Sequence, residues 1–300
     1  MKKYLIYLLM LSMAPLAVGC DDDDEVSDES IFPTGTVERN AFDTWLLNNY
    51  TYPYNVEVLY RLEDIESDMD YNLVPATYGN SVRLAKLIKH LWMEAYDEVC
   101  GPEFLRTYCP RVIHMVGSPA YNTSGEIVLG TAEGGMKITL YNVNSVEGYL
   151  ADGDMEQLNF FFFKTMHHEF AHILHQTKYY PSTFEAVSGN YTSSNWINIE
   201  DDEALQMGFV TPYGSSAVHE DFVEIISVYV THTAEEWEAM MQTADVQNAQ
   251  TGKTGREVIE AKLQIVREYL RDSWNFSLDS LREVVQRRSS EIKYLDLENL

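Results

Sequence analysis

The chain of 300 residues carries 47 acidic side chains against 21 lysines and arginines, a formal charge of −26, and 45% of it is hydrophobic. So acidic a surface is repelled by nucleic acid and by anionic membranes, and no basic patch with interleaved aromatics offsets it, so nucleic acid is excluded as a partner. The length supports one large domain, or one domain with an appendage, and no internal repeat or long Pro/Gly/Ser linker divides it.

Residues 1–19 read as a secretory leader: Lys2 and Lys3 precede an apolar run from Tyr4 to Val18 that is short for a membrane span. Leu16-Ala17-Val18-Gly19-Cys20 resembles the lipobox of bacterial lipoproteins, which implies cleavage before Cys20 and lipidation of its thiol. Residues 20–35 form an acidic tether, Asp21 to Glu25 and then Asp28-Glu29, whose like charges repel and keep it extended. It is either a plain spacer or, by resemblance to the stretch after the lipid-bearing Cys in Bacteroidetes surface lipoproteins, a mark of export. That resemblance implies a chain anchored to the bacterial outer membrane and exposed at the cell surface. Cys100 and Cys109 then remain, either as a disulfide closing a short loop or as two thiols, and neither has zinc-knuckle spacing.

The next elements are modest. Phe42 to Leu47 suits a short helix and Val56 to Tyr60 a strand. Ser81 to Val99 places Val82, Leu84, Leu87, Ile88, Leu91 and Trp92 at helical spacing and predicts a packing helix, with His90 read as a surface residue. Arg111–Val116, Glu126–Gly130 and Met136–Tyr141 predict three strands separated by glycine-containing turns, a short mixed or antiparallel sheet.

The helix that follows holds His168-Glu169-Phe170-Ala171-His172. Positions i and i+4 share one helix face, so both imidazoles can reach one metal ion, and Glu169 can serve as general base for its water. Zinc suits the task because it lowers the pKa of bound water to about 7. Asp152 or Asp154 is expected to cap the helix, and Leu158, Phe161, Phe162 and Thr165 to line its packed face. His167 and His175 are expected to pack or to support a ligand rather than to ligate. His175 and Lys178 stand where a metzincin would carry Gly and His, which sets that class aside.

A third ligand is sought between Tyr213 and Val230, a loop entering an amphipathic helix. Glu220 and Glu224 lie one turn apart there, with Phe222, Val223, Ile226 and Val230 as core anchors. Two carboxylates on so apolar a helix are costly to desolvate unless metal or histidine pairs them. Glu220 is therefore assigned to zinc and Glu224 to a position behind it, accepting a hydrogen bond from a ligand imidazole. His219 and Asp221 compete for the ligand role and rank lower. Beyond Val230, helices are predicted at Glu235–Thr243, Arg256–Leu270 and Leu278–Ser289, with a turn at Thr251–Gly255.

H-E-F-x-H followed by E-x-F-x-E resembles the gluzincin arrangement, most closely that of the anthrax lethal factor metallopeptidase domain. There a Tyr seven residues before the ligand Glu helps to stabilise the transition state, and Tyr213 holds that spacing. Together with the lipobox, residues 16–235 resemble the zinc-binding metallopeptidase lipoproteins of Bacteroidetes, often associated with SusC/SusD-type nutrient importers. The resemblance implies an α+β zincin-like fold, a sheet over an active-site helix, in residues 36–235, and the helical periodicity beyond it makes 236–300 a helical extension. The resemblance also implies an edge strand that pairs with extended peptide, for which Gly134–Tyr141 is the candidate by position. The expected activity is zinc-dependent peptide hydrolysis. The alternative is a non-catalytic zinc-containing lipoprotein that holds peptides or glycans beside a transporter, for which an intact Glu169 is not needed.

Overall fold

Short apolar strands have unpaired backbone groups on both edges, so they must find one another before they can be buried. The sequence from Ala41–Leu46 (α1) leads into β1 (Glu57–Leu59) and then a long helical stretch, α2 (Tyr78–Ile88) and α3 (Glu94–Cys100), joined by a π-helical turn at Lys89–Met93. After α4 (Pro102–Tyr108) come β2 (Val112–Met115), β3 (Ala120–Tyr121), β4 (Ile127–Val128), β5 (Gly130–Glu133) and β6 (Lys137–Leu140). This computed structural model describes residues 38–62, 71–121, 127–128, 130–133, 135–247 and 252–300. The leader, Cys20 and the acidic tether lie outside the described residues, as do Glu126, Gly134 and Thr251.

The sheet is mixed, in the order β1-β2-β6-β5. β1, β2 and β6 run parallel, with Val58 opposite Ile113 and Ile113 opposite Ile138, while β5 returns antiparallel with Thr131 opposite Thr139. This corrects the expected edge: β6 is interior, and β5 is the outer strand among the described residues. Gly135, at φ +71°, turns the chain between them in a left-handed conformation that glycine adopts without a steric penalty. Apolar alternation alone cannot say which arm of such a hairpin ends outside. The run expected at 126–130 is also divided, because Ile127–Val128 pairs with Ala120–Tyr121 in a separate two-stranded ladder.

Helices supply most of the remaining mass. α5 (Val146–Asp152) and α6 (Met155–Leu158) precede a π-helical turn, Asn159–Phe163, that runs on into α7 (Lys164–Thr177), the motif helix. Asp154 is the cap, its carboxylate accepting from Gln157 N at 3.0 Å. α8 (Asp201–Met207), α9 (Val218–Thr231), α10 (Ala234–Ala244), α11 (Gly255–Trp274) and α12 (Leu278–Glu291) complete the chain. Thr233 with Glu236 and Thr254 with Glu257 form capping boxes that start α10 and α11. No helix among the described residues is long and apolar enough to cross a membrane.

One apolar cluster joins sheet and helices. Ile113, Met115, Ile138 and Leu140 belong to it with Phe162, Phe222, Leu263 and Leu281. Phe170, the middle residue of the motif, packs edge-on against Trp92 at 5.3 Å and Tyr96 at 5.0 Å between ring centres. Because Phe170 sits nearly opposite His168 and His172 on the helix, this burial turns both imidazoles away from the core. The helices after residue 235 belong to the same unit, Asn40–Leu300, and α11 and α12 both pack on α9. Leu158, Phe161, Phe162 and Thr165 are all buried. Cys100 and Cys109 are free thiols, which settles the choice the sequence left open. His90 is not a surface residue: it is largely covered, beside Glu94 one turn on and within 3.1 Å of the Arg288 carbonyl.

The tie between α11 and α9 is ionic. Lys262 Nζ lies 2.7 Å from Asp221 Oδ2, with both side chains at 0% exposure. Lys262 also donates to the Gly208 carbonyl at 2.8 Å, and the Tyr191 hydroxyl donates to Asp221 at 2.9 Å. Gly208, at φ +93°, ends α8 where any Cβ would collide with Val258. Burial pushes the Asp221 pKa up and the Lys262 pKa down, each against the partner's charge. Removing one partner strands the other, so Lys262→Met is expected to cost about 3–5 kcal/mol in urea unfolding. Adding Asp221→Leu should recover much of that loss; a single variant as stable as the parent would contradict the account.

Candidate metal centre

α7 and α9 lie side by side, which is how residues distant in sequence meet. His168 and His172 face α9 from successive turns, and Glu220 reaches back from its first turn. His168 Nε2 and His172 Nε2 are 3.1 Å apart, and Glu220 Oε2 is 3.2 Å from each. Donors held about 2.0–2.1 Å from a tetrahedral zinc sit roughly 3.3 Å from one another. The three atoms therefore form one face of such a site, two imidazoles and a carboxylate, a donor set that suits zinc. Among the described residues they are the group able to hold a metal ion.

Behind the ligands lies a second row of contacts. Glu224, 1% exposed, puts Oε1 2.7 Å from His168 Nδ1, which keeps the proton on Nδ1 and makes Nε2 the nitrogen that would ligate once the ring is neutral. Its other oxygen takes Lys164 Nζ at 2.8 Å and the Thr211 hydroxyl. Burial alone would raise the Glu224 pKa; Lys164 and His168 outweigh it and hold the carboxyl well below its ordinary range. His172 has its own support, His175 Nε2, 3.0 Å from Nδ1. Burial, and then His172 beside it, lower the His175 pKa to about 4, so it is a neutral imidazole and can accept from a His172 Nδ1–H. His167 faces the other way, 3.1 Å from the Tyr96 hydroxyl, and burial lowers its pKa to about 3.

The groups with chemical reach complete the arrangement. Glu169 is mostly enclosed, and burial raises its pKa above the ordinary carboxylate value although His168 and His172 pull it down. Tyr213 begins a short 3₁₀ turn, Tyr213–Ser215, with its ring 5.9 Å from that of His168. Burial, then the charge of Glu220, raise its pKa, so the phenol keeps its proton. Of the two rival ligands, His219 is half-exposed, 3.3 Å from Glu220 Oε1, and Asp221 turns into the core toward Lys262. Sequence reading missed Lys164, Thr211 and Lys262. Only Lys164 left a signal, one turn ahead of His168 on the same face.

Residues 35–279 match the family described as "Putative zinc-binding metallo-peptidase". The chain belongs to that family. The crystal structure at 2.10 Å of a "putative zinc-binding metallo-peptidase" from Bacteroides caccae ATCC 43185 is 42% identical, over 90% of this chain and 99% of that one, with a TM-score of 0.73. No curated protein matches the chain. Family membership and the mixed α+β fold thus agree with the sequence reading, and His168, His172 and Glu220 are where this family member would hold its zinc.

Metal binding should release a proton. Burial disfavours charge on His168, but Glu220 and Glu224 outweigh it and raise the pKa to about 9, so the metal-free ring is protonated at neutral pH. A ligating imidazole must be neutral. Since the shift is upward, zinc affinity is expected to rise about tenfold per pH unit between pH 7 and 8.5. Calorimetry in buffers of different ionisation enthalpy should find about one proton released per zinc at pH 7; a flat affinity with no release would contradict the assignment.

Proposed function

We propose that this protein hydrolyses peptide bonds with zinc held by His168, His172 and Glu220. The observation that carries the reading is the convergence of three ligand-grade atoms, 3.1–3.2 Å apart, beside an enclosed carboxylate with a raised pKa. When bound, zinc supplies a Lewis acid that polarises the substrate carbonyl and makes water a nucleophile near neutral pH. Glu169 takes the proton from the attacking water and delivers it to the departing amine, a role for which a raised carboxylate pKa is suited. The Tyr213 phenol donates to the oxygen that gains charge as the carbonyl becomes tetrahedral. Glu224 and His175 hold the two imidazoles in orientation, so that neither ring has to reorganise during turnover.

Substrate alignment falls to β5. Among the described residues it is the last strand of its sheet, and it touches the motif helix, so an extended peptide can add to it through main-chain hydrogen bonds alone. This affinity is indifferent to side chains. The leader and Cys20 support a lipid anchor at the bacterial outer membrane, with the acidic tether holding the catalytic unit off the surface, beside a SusC/SusD-like importer.

Glu169→Gln separates this reading from a binding protein that merely keeps a zinc fold. The variant should retain one zinc per chain and lose at least about 10²–10⁴-fold in turnover of a mixed peptide library, the usual worth of general acid–base catalysis. Chelator should abolish cleavage by the parent. A Glu169→Gln variant as active as the parent would overturn the mechanism, and a zinc-loaded parent that binds peptides but cleaves none would favour the non-catalytic alternative.

A further inference from the structure

The main-chain addition just described leaves substrate choice unexplained, and the wall beside Tyr213 supplies a candidate for it. The 3₁₀ segment Ser193–Asn198 contains no buried residue, yet it carries Trp196 and Ile197. Ile197 is 49% exposed and Trp196 half-buried. Two large apolar side chains on a segment that buries none of its residues add little to stability. The segment is nonetheless held in place. Thr192 N donates to the Ser215 carbonyl at 2.8 Å, and the Thr192 and Ser215 hydroxyls are 2.8 Å apart. These bonds tie it to the same turn that presents Tyr213. Ser193 sits at φ +50°, a left-handed conformation that a non-glycine residue adopts only when its surroundings impose it.

The result is a continuous line of rings leading away from the metal centre. The ring of His168 is 5.9 Å from that of Tyr213, and the ring of Tyr213 is 5.0 Å from that of Trp196, at 79°. Trp196 packs edge to face with Tyr213, one ring farther from the metal centre, and is only half-buried, so part of its apolar surface stays open.

We propose that Trp196 forms the apolar wall of a substrate side-chain subsite, so that the enzyme selects a bulky aromatic or aliphatic residue flanking the scissile bond on the Tyr213 side. The inference rests on the peptidase reading for its substrate class, but the wall itself is a property of the fold. Trp196 is a specificity residue here. It touches the substrate's side chain and takes no part in moving protons.

The test uses N-acyl amino-acid hydroxamates of Phe, Leu and Gly, whose hydroxamate is fixed at the metal so that the side chain reports on the adjacent wall. Binding to the zinc-loaded full chain is measured by calorimetry, and cleavage of matched peptides with Phe, Leu or Gly beside the scissile bond is followed separately. The parent should bind the Phe and Leu compounds about tenfold or more tightly than Gly, the discrimination an apolar pocket commonly supplies. Trp196→Ala should remove that preference while leaving the Gly compound within about threefold, and Trp196→Phe should restore most of it. Equal binding of all three hydroxamates by the parent would overturn the subsite. So would a Trp196→Ala variant that loses kcat equally on all peptides, since that would make Trp196 a support for Tyr213. A parent that prefers the Phe hydroxamate yet cleaves no peptide would overturn the peptidase reading and leave the subsite standing.

Discussion

A carboxylate with 1% exposure on an apolar helix is the constraint on which the site depends. Glu224 would cost several kcal/mol to desolvate alone, so it is stable there only because Lys164, His168 and Thr211 all point at it. Two of those three partners stand on the motif helix, one turn apart. The pairing therefore sets the register between the two helices. Once Glu224 faces His168, Glu220, one turn earlier, has no choice but to face His168 and His172 together. The ligand triangle is thus a consequence of a buried hydrogen-bonded ion pair behind it. Phe170 braces the same helix from the other side, among Trp92 and Tyr96.

The carboxyl-terminal helices extend this logic. Asp221 directly follows Glu220, and its salt bridge to Lys262 holds the first turn of that helix against α11. Farther along, the Tyr229 hydroxyl and Arg267 both bond to Asp279, and Gln286 donates to the Val230 carbonyl at 2.9 Å, closing α12 onto the helix's last turn. The helix that carries the candidate ligand Glu220 is therefore fixed at both ends by residues beyond position 235. Such fixing matters to a metal site, where the ligand atoms must already be close to their final geometry for binding to cost little.

How much of this could be read from the sequence depended on range. His168, Glu169 and His172 share one helix, so the i, i+4 rule was enough to place them on one face, and Glu220 and Glu224 followed from the cost of burying acids. The longer helices, Tyr78–Ile88, Gly255–Trp274 and Leu278–Glu291 among them, announced themselves by apolar periodicity, whereas the seven-residue helices Pro102–Tyr108, Val146–Asp152 and Asp201–Met207 drew no prediction. Strand order did not, because alternation says that a strand has a buried face but not which neighbour covers its edge; hence the exchange of β6 for β5. His90 was misplaced for a simpler reason, since Glu94 stands a turn away in the sequence and pairs with it. Lys262 and Thr211 belong to long-range contacts that leave no local mark. A buried lysine on α11 reads, in one dimension, like any charged residue on an exposed helix face.

The central claim is that one zinc binds between α7 and α9 through two imidazoles and one carboxylate. X-ray absorption at the zinc edge, on the chain loaded with one equivalent, addresses it most directly. The account predicts a four-coordinate zinc with two imidazole nitrogens at about 2.0–2.1 Å, the remaining ligands being oxygen, and no sulfur. Glu220→Ala should shift the spectrum toward more water without removing the imidazole signal. A zinc environment lacking two imidazoles, or containing a thiolate, would contradict it.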